Sequence, residues 1–405
     1  MNSSYPTYKL GEICDILNGF AFKSSNYVSD GLRVIRITNV KKGFVIDEEP
    51  QFYPIETQEE LKKYVLKKGD LLISLTGNVG RVGILNEELL PAALNQRVGC
   101  LRVKDKSLVS LQYLFHLFNT DSFEKDCIDS SKGIAQKNMS TEWLKEYEVT
   151  LPPLATQRAI VTRIESLFAE LDKGVEKLKT AQLQLKVYRQ AVLNDCLTKQ
   201  EWPIVNIIDI IEKGKNALKA GPFGSALKKD CYVEKGYKIY GQEQVINGNP
   251  FIGNYYVDET KYKELESCKI QEGDILISLV GTVGKVLILP KGVKEGIINP
   301  RLIKITLNQQ IYDAKFFKYY FESSKVKSFY KINASGTTMD VLNIGIIKQI
   351  PFPLPSLPEQ QRIVQEIETR LSQAELVEAS IEQSLQQAEA LRQSILKKAF
   401  SGELV

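Results

Sequence analysis

The stretch Gly281-Thr282-Val283-Gly284-Lys285-Val286 comes nearest to a phosphate-binding loop, in which backbone amides and a lysine cradle phosphates and a terminal Ser or Thr holds magnesium. It has two residues where GxxxxGK[ST] needs four and it ends in valine, so nothing would hold the metal. Asn299-Pro300-Arg301 and Asn249-Pro250-Phe251 approach the methyltransferase sequence (N/D)PP(Y/F) but lack its second proline. His116 is the single histidine, so a Ser-His-Asp arrangement would have to use it. It lies within the apolar run LFHLF and reads as a core histidine with its hydrogen bonds satisfied. The six cysteines, Cys14, Cys100, Cys127, Cys196, Cys231 and Cys268, form no CxxC pair, which excludes the common zinc patterns. No cluster suggests catalysis, and a binding protein is expected over an enzyme, with no metal site on this chain.

The elements that must position any binding residues follow from length and pattern. A chain of 405 residues, 43% hydrophobic and 25% charged, has the composition of a folded protein and suffices for about two to four domains. Apolar stretches such as DLLISL at 70–75 are strand-sized, far short of the roughly 20 residues of a membrane-spanning helix. The N-terminus shows no basic region followed by an apolar one, so no secretory signal is read and a cytoplasmic location is expected. A net charge of +4 permits nucleic-acid binding without requiring it, and any DNA contact would need local gathering of basic residues or a partner's charge.

The chain contains itself twice. LKKGDLLISLTGNVGRVGIL at 66–85 lies over IQEGDILISLVGTVGKVLIL at 270–289 without gaps, with 12 of 20 positions identical. LPPLATQRAIV from Leu151 likewise matches LPSLPEQQRIV from Leu354, and RQAVL at 189–193 matches RQSIL at 392–396. The repeat divides the chain into a first globule at 1–150, a helical segment at 151–200, a second globule at 201–353 and a second helical segment at 354–405. Within the helical segments, 156–198 and 359–400 lack proline and carry apolar residues every seventh position. These are Ile164, Leu171, Leu178, Leu185 and Val192 in the first and Ile367, Ala374, Ile381, Ala388 and Ile395 in the second, the spacing of a coiled-coil seam. Two equal helices from two repeats are most simply related by a pseudo-two-fold axis, which makes the pair antiparallel with a globule at either end. Ser356, Pro358 and Glu359 read as a capping-box start on the second helix. Short strands that follow one another without crossover helices give each globule an α+β fold rather than a parallel sheet.

The two-copy order, the LPxLxxQxxIV lead into each long helix and the GDxLISxxGxVG strings together resemble the specificity subunit of type I restriction-modification systems. Further similar strings are GFAFKSSNYVSDG at 19–31 and, in the second copy, GPFGSALKKDCYVEKG at 221–236 followed by YGQEQVINGN at 240–249. The resemblance covers essentially the whole chain. It implies two target-recognition domains, each reading one half of a split, asymmetric site on double-stranded DNA, with the helices setting the unread gap. It also implies two modification subunits that grip the helices and methylate adenine N6 with S-adenosylmethionine, and restriction subunits that join them, with no cofactor on this chain itself. The glutamates of the second helix, among them Glu366, Glu368, Glu375 and Glu378, suit a protein neighbour better than a phosphate backbone.

Under that resemblance, DNA contacts are expected from polar loop residues, with Arg or Lys on guanine, Asn or Gln on adenine, and basic groups on phosphates. In the first globule these are Lys23, Ser24, Ser25, Arg36, Asn39, Asn78, Arg81, Asn95, Gln96, Arg97, Lys132, Gln136 and Lys137; in the second, Ser225, Lys228, Lys229, Gln242, Gln244, Thr282, Lys285, Arg301, Thr337 and Thr338. Residues alike in both copies, Arg81/Lys285 and Arg97/Arg301, cannot readily encode different half-sites and are assigned to phosphates or scaffold. Gln136 and Lys137, opposite Met339 and Asp340, differ and are specificity candidates. Gly77, Gly80, Gly281 and Gly284 are expected to shape a turn. Phe20, Phe22, Tyr255 and Tyr256 read as core or sheet-face residues. An alternative from a different class stays open: a coiled-coil scaffold whose two globules bind protein.

Overall fold

The computed structural model describes residues 5–133, 137–198, 201–223, 226–333 and 342–404. It separates into two compact units, residues 1–179 with 382–405, and residues 180–381.

In the first unit a four-stranded antiparallel sheet runs in the order Cys14–Asn18, Val98–Val103, Leu71–Ser74, Val82–Ile84. Leu71–Ser74 reads as a continuous apolar run because both of its faces are covered. Leu71 and Ile73 pack with Leu10, Leu101, Tyr113 and Phe118, while Leu72 packs on the other side with Ile35, Leu85, Leu94 and Cys100. Each such buried leucine contributes roughly 1.5–3 kcal/mol. Leu32–Ile35 pairs antiparallel with Phe52–Tyr53 and parallel with Ala92–Leu94.

The second unit repeats the scheme. Its four strands are ordered Leu218–Ala220, Leu302–Ile305, Ile275–Ser278, Val286–Ile288, and Tyr237–Tyr240 pairs antiparallel with Tyr256–Val257 and parallel with Gly296–Ile298. Ile275 and Ile277 face one core and Leu276 the other. Each unit also contains one parallel pair within its α+β fold. In both units the chain between the parallel strands runs through two strands of the neighbouring four-stranded sheet. The units differ after the first strand of the smaller sheet, where the first has a hairpin, Val40–Lys41 with Phe44–Val45, and the second has the helix Gln242–Asn247.

The long helices span Leu154–Thr198 and Leu357–Ser401, each 45 residues. Both begin two residues before the expected start, and in the second Pro358 sits in the first turn, where a missing N–H breaks no intrahelical bond. Among the described residues neither hydrogen bond of the expected capping box is made. The Glu359 carboxylate instead accepts two 2.9 Å hydrogen bonds from Arg362, whose planar fork offers two donors where a cap offers one. In each unit a stretch of one helix runs antiparallel to a stretch of the other. In the first unit, Asp172 pairs with Arg392, and Ile160, Val161 and Ile164 share a core with Leu396, Ala399 and Phe400. In the second, Arg189 meets Glu378 at 2.6 Å and Asp195 meets Arg370 at 2.8 Å. Of the seven-residue series, Ile164, Val192, Ile367, Ala374, Ile381 and Ile395 are buried and Leu171, Leu178, Leu185 and Ala388 half-buried.

The glutamine of LPxLxxQ explains how each helix is fixed to its globule. Gln157 is fully buried; its Oε1 accepts from the Ser110 N–H (2.9 Å), and its Nε2 donates to the carbonyls of Leu108 (2.9 Å) and Pro152 (2.8 Å). Gln360 repeats this with the Asp313 N–H (2.7 Å) and the carbonyls of Ile311 (3.0 Å) and Pro355 (2.9 Å). Ser110 and Asp313 are themselves N-caps of the helices Leu111–Phe118 and Ala314–Phe321. One amide therefore satisfies three backbone groups at a junction that would otherwise bury them unpaired.

Candidate nucleic-acid interface

The repeated GDxLISxxGxVG string builds one loop twice. The Ser74 hydroxyl donates to the Asn78 carbonyl (2.5 Å) and accepts from the Arg81 N–H (3.0 Å). Ser278 donates to the Thr282 carbonyl and accepts from the Lys285 N–H (3.1 Å). Gly77 and Gly80 hold φ of +72° and +82°, and Gly281 and Gly284 hold +70° and +75°, so the glycines do shape the turn. The aspartate of the string is structural in both copies. Asp70 holds Arg102 through two bonds of 2.8 and 2.6 Å, and buried Asp274 accepts from Thr306 (2.5 Å) and from the Gln271 N–H (2.8 Å).

Neighbouring loops gather on this turn. The Leu75 N–H donates to the Arg97 carbonyl (2.9 Å) and the Leu279 N–H to that of Arg301 (3.0 Å). The side-chain oxygens of Asn95 and Asn299 accept from the N–H groups of Arg97 (3.1 Å) and Arg301 (2.9 Å), which makes Asn95 a turn former. A Cβ at Gly19 would lie 2.1 Å from the Asn95 carbonyl, and one at Gly221 1.8 Å from that of Asn299. The glycines opening GFAFKSS and GPFGSA are therefore set by close backbone approach.

In the first unit these loops enclose a cleft of about 370 Å³ that brings together Ser24, Arg36, Asn95, Gln96 and Arg97 with Phe22, Tyr27, Ile37 and Thr38. Lys23 and Ser25 are exposed on the same loop, while Gly77 donates its N–H to the Lys137 carbonyl (2.8 Å) and joins exposed Asn78 to the Lys132–Asn138 segment. Arg81 is half-buried, and Lys132 exposed. Arg36 donates to the Glu49 carbonyl (2.6 Å), while its buried Nε has no hydrogen-bond partner among the described residues. Tyr27 and Thr38 were not singled out from sequence, although both adjoin residues that were. The rings of Phe20, Phe22, Tyr27 and Tyr53 stack edge to face, with centroids 4.8–5.9 Å apart, and carry the 19–27 loop.

In the second unit Lys228, Lys229, Thr282, Lys285 and Arg301 are exposed, and Gln242 is half-buried with its Nε2 donating to the Val280 carbonyl. Two expectations are corrected. Asn39, 3% exposed, donates to the Ile46 carbonyl (3.0 Å) and accepts from the Arg36 N–H (2.9 Å). Gln244, 2% exposed, donates to the Ile252 carbonyl (2.9 Å) and accepts from the Gly241 N–H (2.8 Å). Both amides are buried and satisfy backbone groups, so neither is presented to a base. Gln136, Ser225, Thr337 and Thr338, with Met339 and Asp340, lie outside the described residues.

Two copies of one loop scaffold presenting different side chains agree with a comparison of the sequence against known families: the type I restriction modification DNA specificity domain matches twice, over residues 2–180 and 199–387. The chain belongs to this family. The EcoBI type I restriction enzyme specificity subunit of Escherichia coli is 26% identical, with 100% of this chain and 87% of that protein covered. The MjaVIII specificity subunit of Methanocaldococcus jannaschii is 30% identical over 47% of this chain and 44% of its own length. Among solved structures, a chain from work on assembly and conformational transition of the type I R-M system superposes with a TM-score of 0.71 at 18% identity, covering 100% and 99% of the two chains. The HsdS subunit from Thermoanaerobacter tengcongensis gives 0.51 at 17%, covering 100% and 98%. These two likenesses concern the fold. As a member of the specificity family the chain is non-catalytic and recognises DNA sequence through two domains; the catalytic activities reside in other subunits.

Outside the loops of this specificity subunit, the groups that could do chemistry are otherwise occupied. His116 is buried as expected, but its Nε2 has no hydrogen-bond partner among the described residues, with a Glu165 oxygen 3.7 Å away. Burial, with Arg392 nearby, pulls its pKa down to about 4, so it is neutral. Burial pushes the Cys14 and Cys127 thiols up to about 12. Asp195, Cys196 and Glu366 converge as metal ligands would, yet the Arg370 guanidinium sits among them, 2.8 Å from Asp195 and 3.6 Å from both the Cys196 sulfur and Glu366. Among the described residues no helix is long and apolar enough to cross a membrane.

Proposed function

We propose that each unit reads one half of a bipartite, asymmetric DNA site, with Lys23, Ser24, Ser25, Arg36, Gln96 and Arg97 facing the first half and Lys228, Lys229, Gln242, Thr282, Lys285 and Arg301 the second. The observation that carries this is the twice-built loop whose backbone is shared and whose presented side chains, with the hairpin in one unit and the helix in the other, are not. Shared backbone supplies phosphate positioning, and differing side chains supply different sequences.

The long helices set the gap between half-sites and dock two adenine-N6 methyltransferase subunits, with restriction subunits joining in the full complex in the cytoplasm. In support, Leu183, Val187 and Leu376 lie 62%, 71% and 73% exposed on these helices, apolar surface that suits a protein partner. S-adenosylmethionine belongs to the methyltransferase partners, and this chain binds no cofactor.

The test is co-expression with the neighbouring methyltransferase subunit in a methylation-free host and genome-wide mapping of N6-methyladenine. A split motif that requires this chain supports the reading. Methylation unchanged by omitting the chain, with both proteins expressed, would favour a coiled-coil scaffold with protein-binding globules.

A further inference from the structure

The two units carry opposite charge on one equivalent element. The helix after the Ser110- and Asp313-capped helices is Asp121–Ser130 (DSFEKDCIDS) in the first unit and Ser324–Asn333 (SKVKSFYKIN) in the second. Both pack under the glycine-rich loop. A Cβ at Gly80 would lie 2.8 Å from the Cβ of Cys127, and one at Gly284 2.7 Å from the Tyr330 hydroxyl. In the first unit the helix is acidic, and Asp121 and Glu124 hold Lys42 of the hairpin at 2.7 and 2.8 Å.

In the second unit the same place carries Lys327 and Lys331, with Lys285 on the loop above. None of the three makes an ion pair among the described residues. The nearby Glu322 carboxylate accepts from the Val286 N–H (3.1 Å), which fixes the start of the strand that follows Lys285. Lys285 and Lys331 are exposed and Lys327 half-buried. The pKa of Lys327 lies below its ordinary value because of burial, with Lys285 and Lys331 lowering it further against the opposing Glu322. Three lysines against the single Glu322 carboxylate leave a net positive charge that suits an anion, and beside a DNA-reading loop the anion is a backbone phosphate.

We propose that Lys285, Lys327 and Lys331 form a phosphate clamp belonging to the second half-site alone, so that the two halves of the DNA site are held by unequal electrostatic forces. The proposal rests on the DNA-reading function above. The clamp carries no base information, because ammonium groups on a phosphate read charge and position only.

The experiment measures DNA affinity of the complex with its methyltransferase partner between 50 and 200 mM salt, for the wild type, for Lys327→Gln with Lys331→Gln, and for Lys327→Arg. Each lost phosphate contact removes about 0.9 from the slope of log affinity against log salt. The double glutamine variant is expected to reduce the salt-induced loss of affinity about tenfold while leaving the methylated motif unchanged, and the arginine variant to keep the wild-type slope. An unchanged slope in the double variant, or a changed base preference in the second half-site, overturns the clamp. If the wild-type complex shows no sequence-selective binding at all, the underlying DNA reading fails, a result distinct from either.

Discussion

Replacing Gln360 by leucine keeps most of the side-chain volume while removing every hydrogen bond that the amide makes. Three backbone groups then lose their partner: the Asp313 N–H and the carbonyls of Ile311 and Pro355, around a side chain with no exposure to solvent. An unsatisfied buried polar group costs about 1–3 kcal/mol, so the variant is expected to lose at least about 3 kcal/mol of the roughly 5–15 that stabilise a domain. Because Gln157 supports a separate junction in the first unit, the loss should stay within residues 180–381. The assay is native-state hydrogen exchange resolved by segment, in which amides of the Ala314–Phe321 helix and the Ile275–Ser278 strand should exchange about a hundredfold faster while Leu71–Ser74 stays unchanged. Gln157→Leu should give the mirror result. A loss below about 1 kcal/mol, or equal acceleration in both units, would refute the claim that this amide fixes helix to globule.

Further outcomes follow from the same geometry. Gly19→Ala forces a Cβ to 2.1 Å from the Asn95 carbonyl and should weaken recognition of one half-site about tenfold to a hundredfold, the effect of 1–3 kcal/mol of strain, with methylation-motif mapping showing the other half intact. Gln96→Ala should relax base preference at one position of the first half-site, whereas Arg97→Ala should weaken binding across sequences, as binding to a panel of single-substitution sites would report. Because the folded pKa of His116, about 4, lies below its ordinary value near 6.5, its contribution to stability is fully present above pH 6.5 and is lost as pH falls through 6.5 toward 4. The slope should be at most about 1.4 kcal/mol per pH unit, and urea titrations of His116→Phe should show it diminished. Inserting four residues into each long helix lengthens it by about 6 Å and should widen the methylated motif's gap by roughly two base pairs; an unchanged gap would remove the helices' role as a spacer.

The double architecture was open to reading because duplication leaves a signal at fixed offset that no single strand or helix leaves. The 12 identities between 66–85 and 270–289 place the same buried strand and the same glycine turn in both halves. Seven-residue spacing placed the helical seam, and the repeated strings carried the resemblance to the specificity family. Residue type and periodicity sufficed for these because burial on a helix face or a sheet core depends on local order along the chain.

What each polar loop residue does was decided by partners distant in sequence. Asn39 and Gln244 have the amides of base readers but lie against backbone that only the folded loops bring near, 7 and 8 residues on. Gln157 meets Ser110 across 47 residues, and Gln360 meets Asp313 across the same interval. Lys327 passed unnoticed in the sequence because its helix is unremarkable until it is laid beneath Lys285 and compared with the acidic helix at the same place in the first unit. A side chain's hydrogen-bonding capacity is written in its type, but whether backbone, a neighbouring charge or DNA satisfies it depends on three-dimensional proximity, which composition and spacing do not encode.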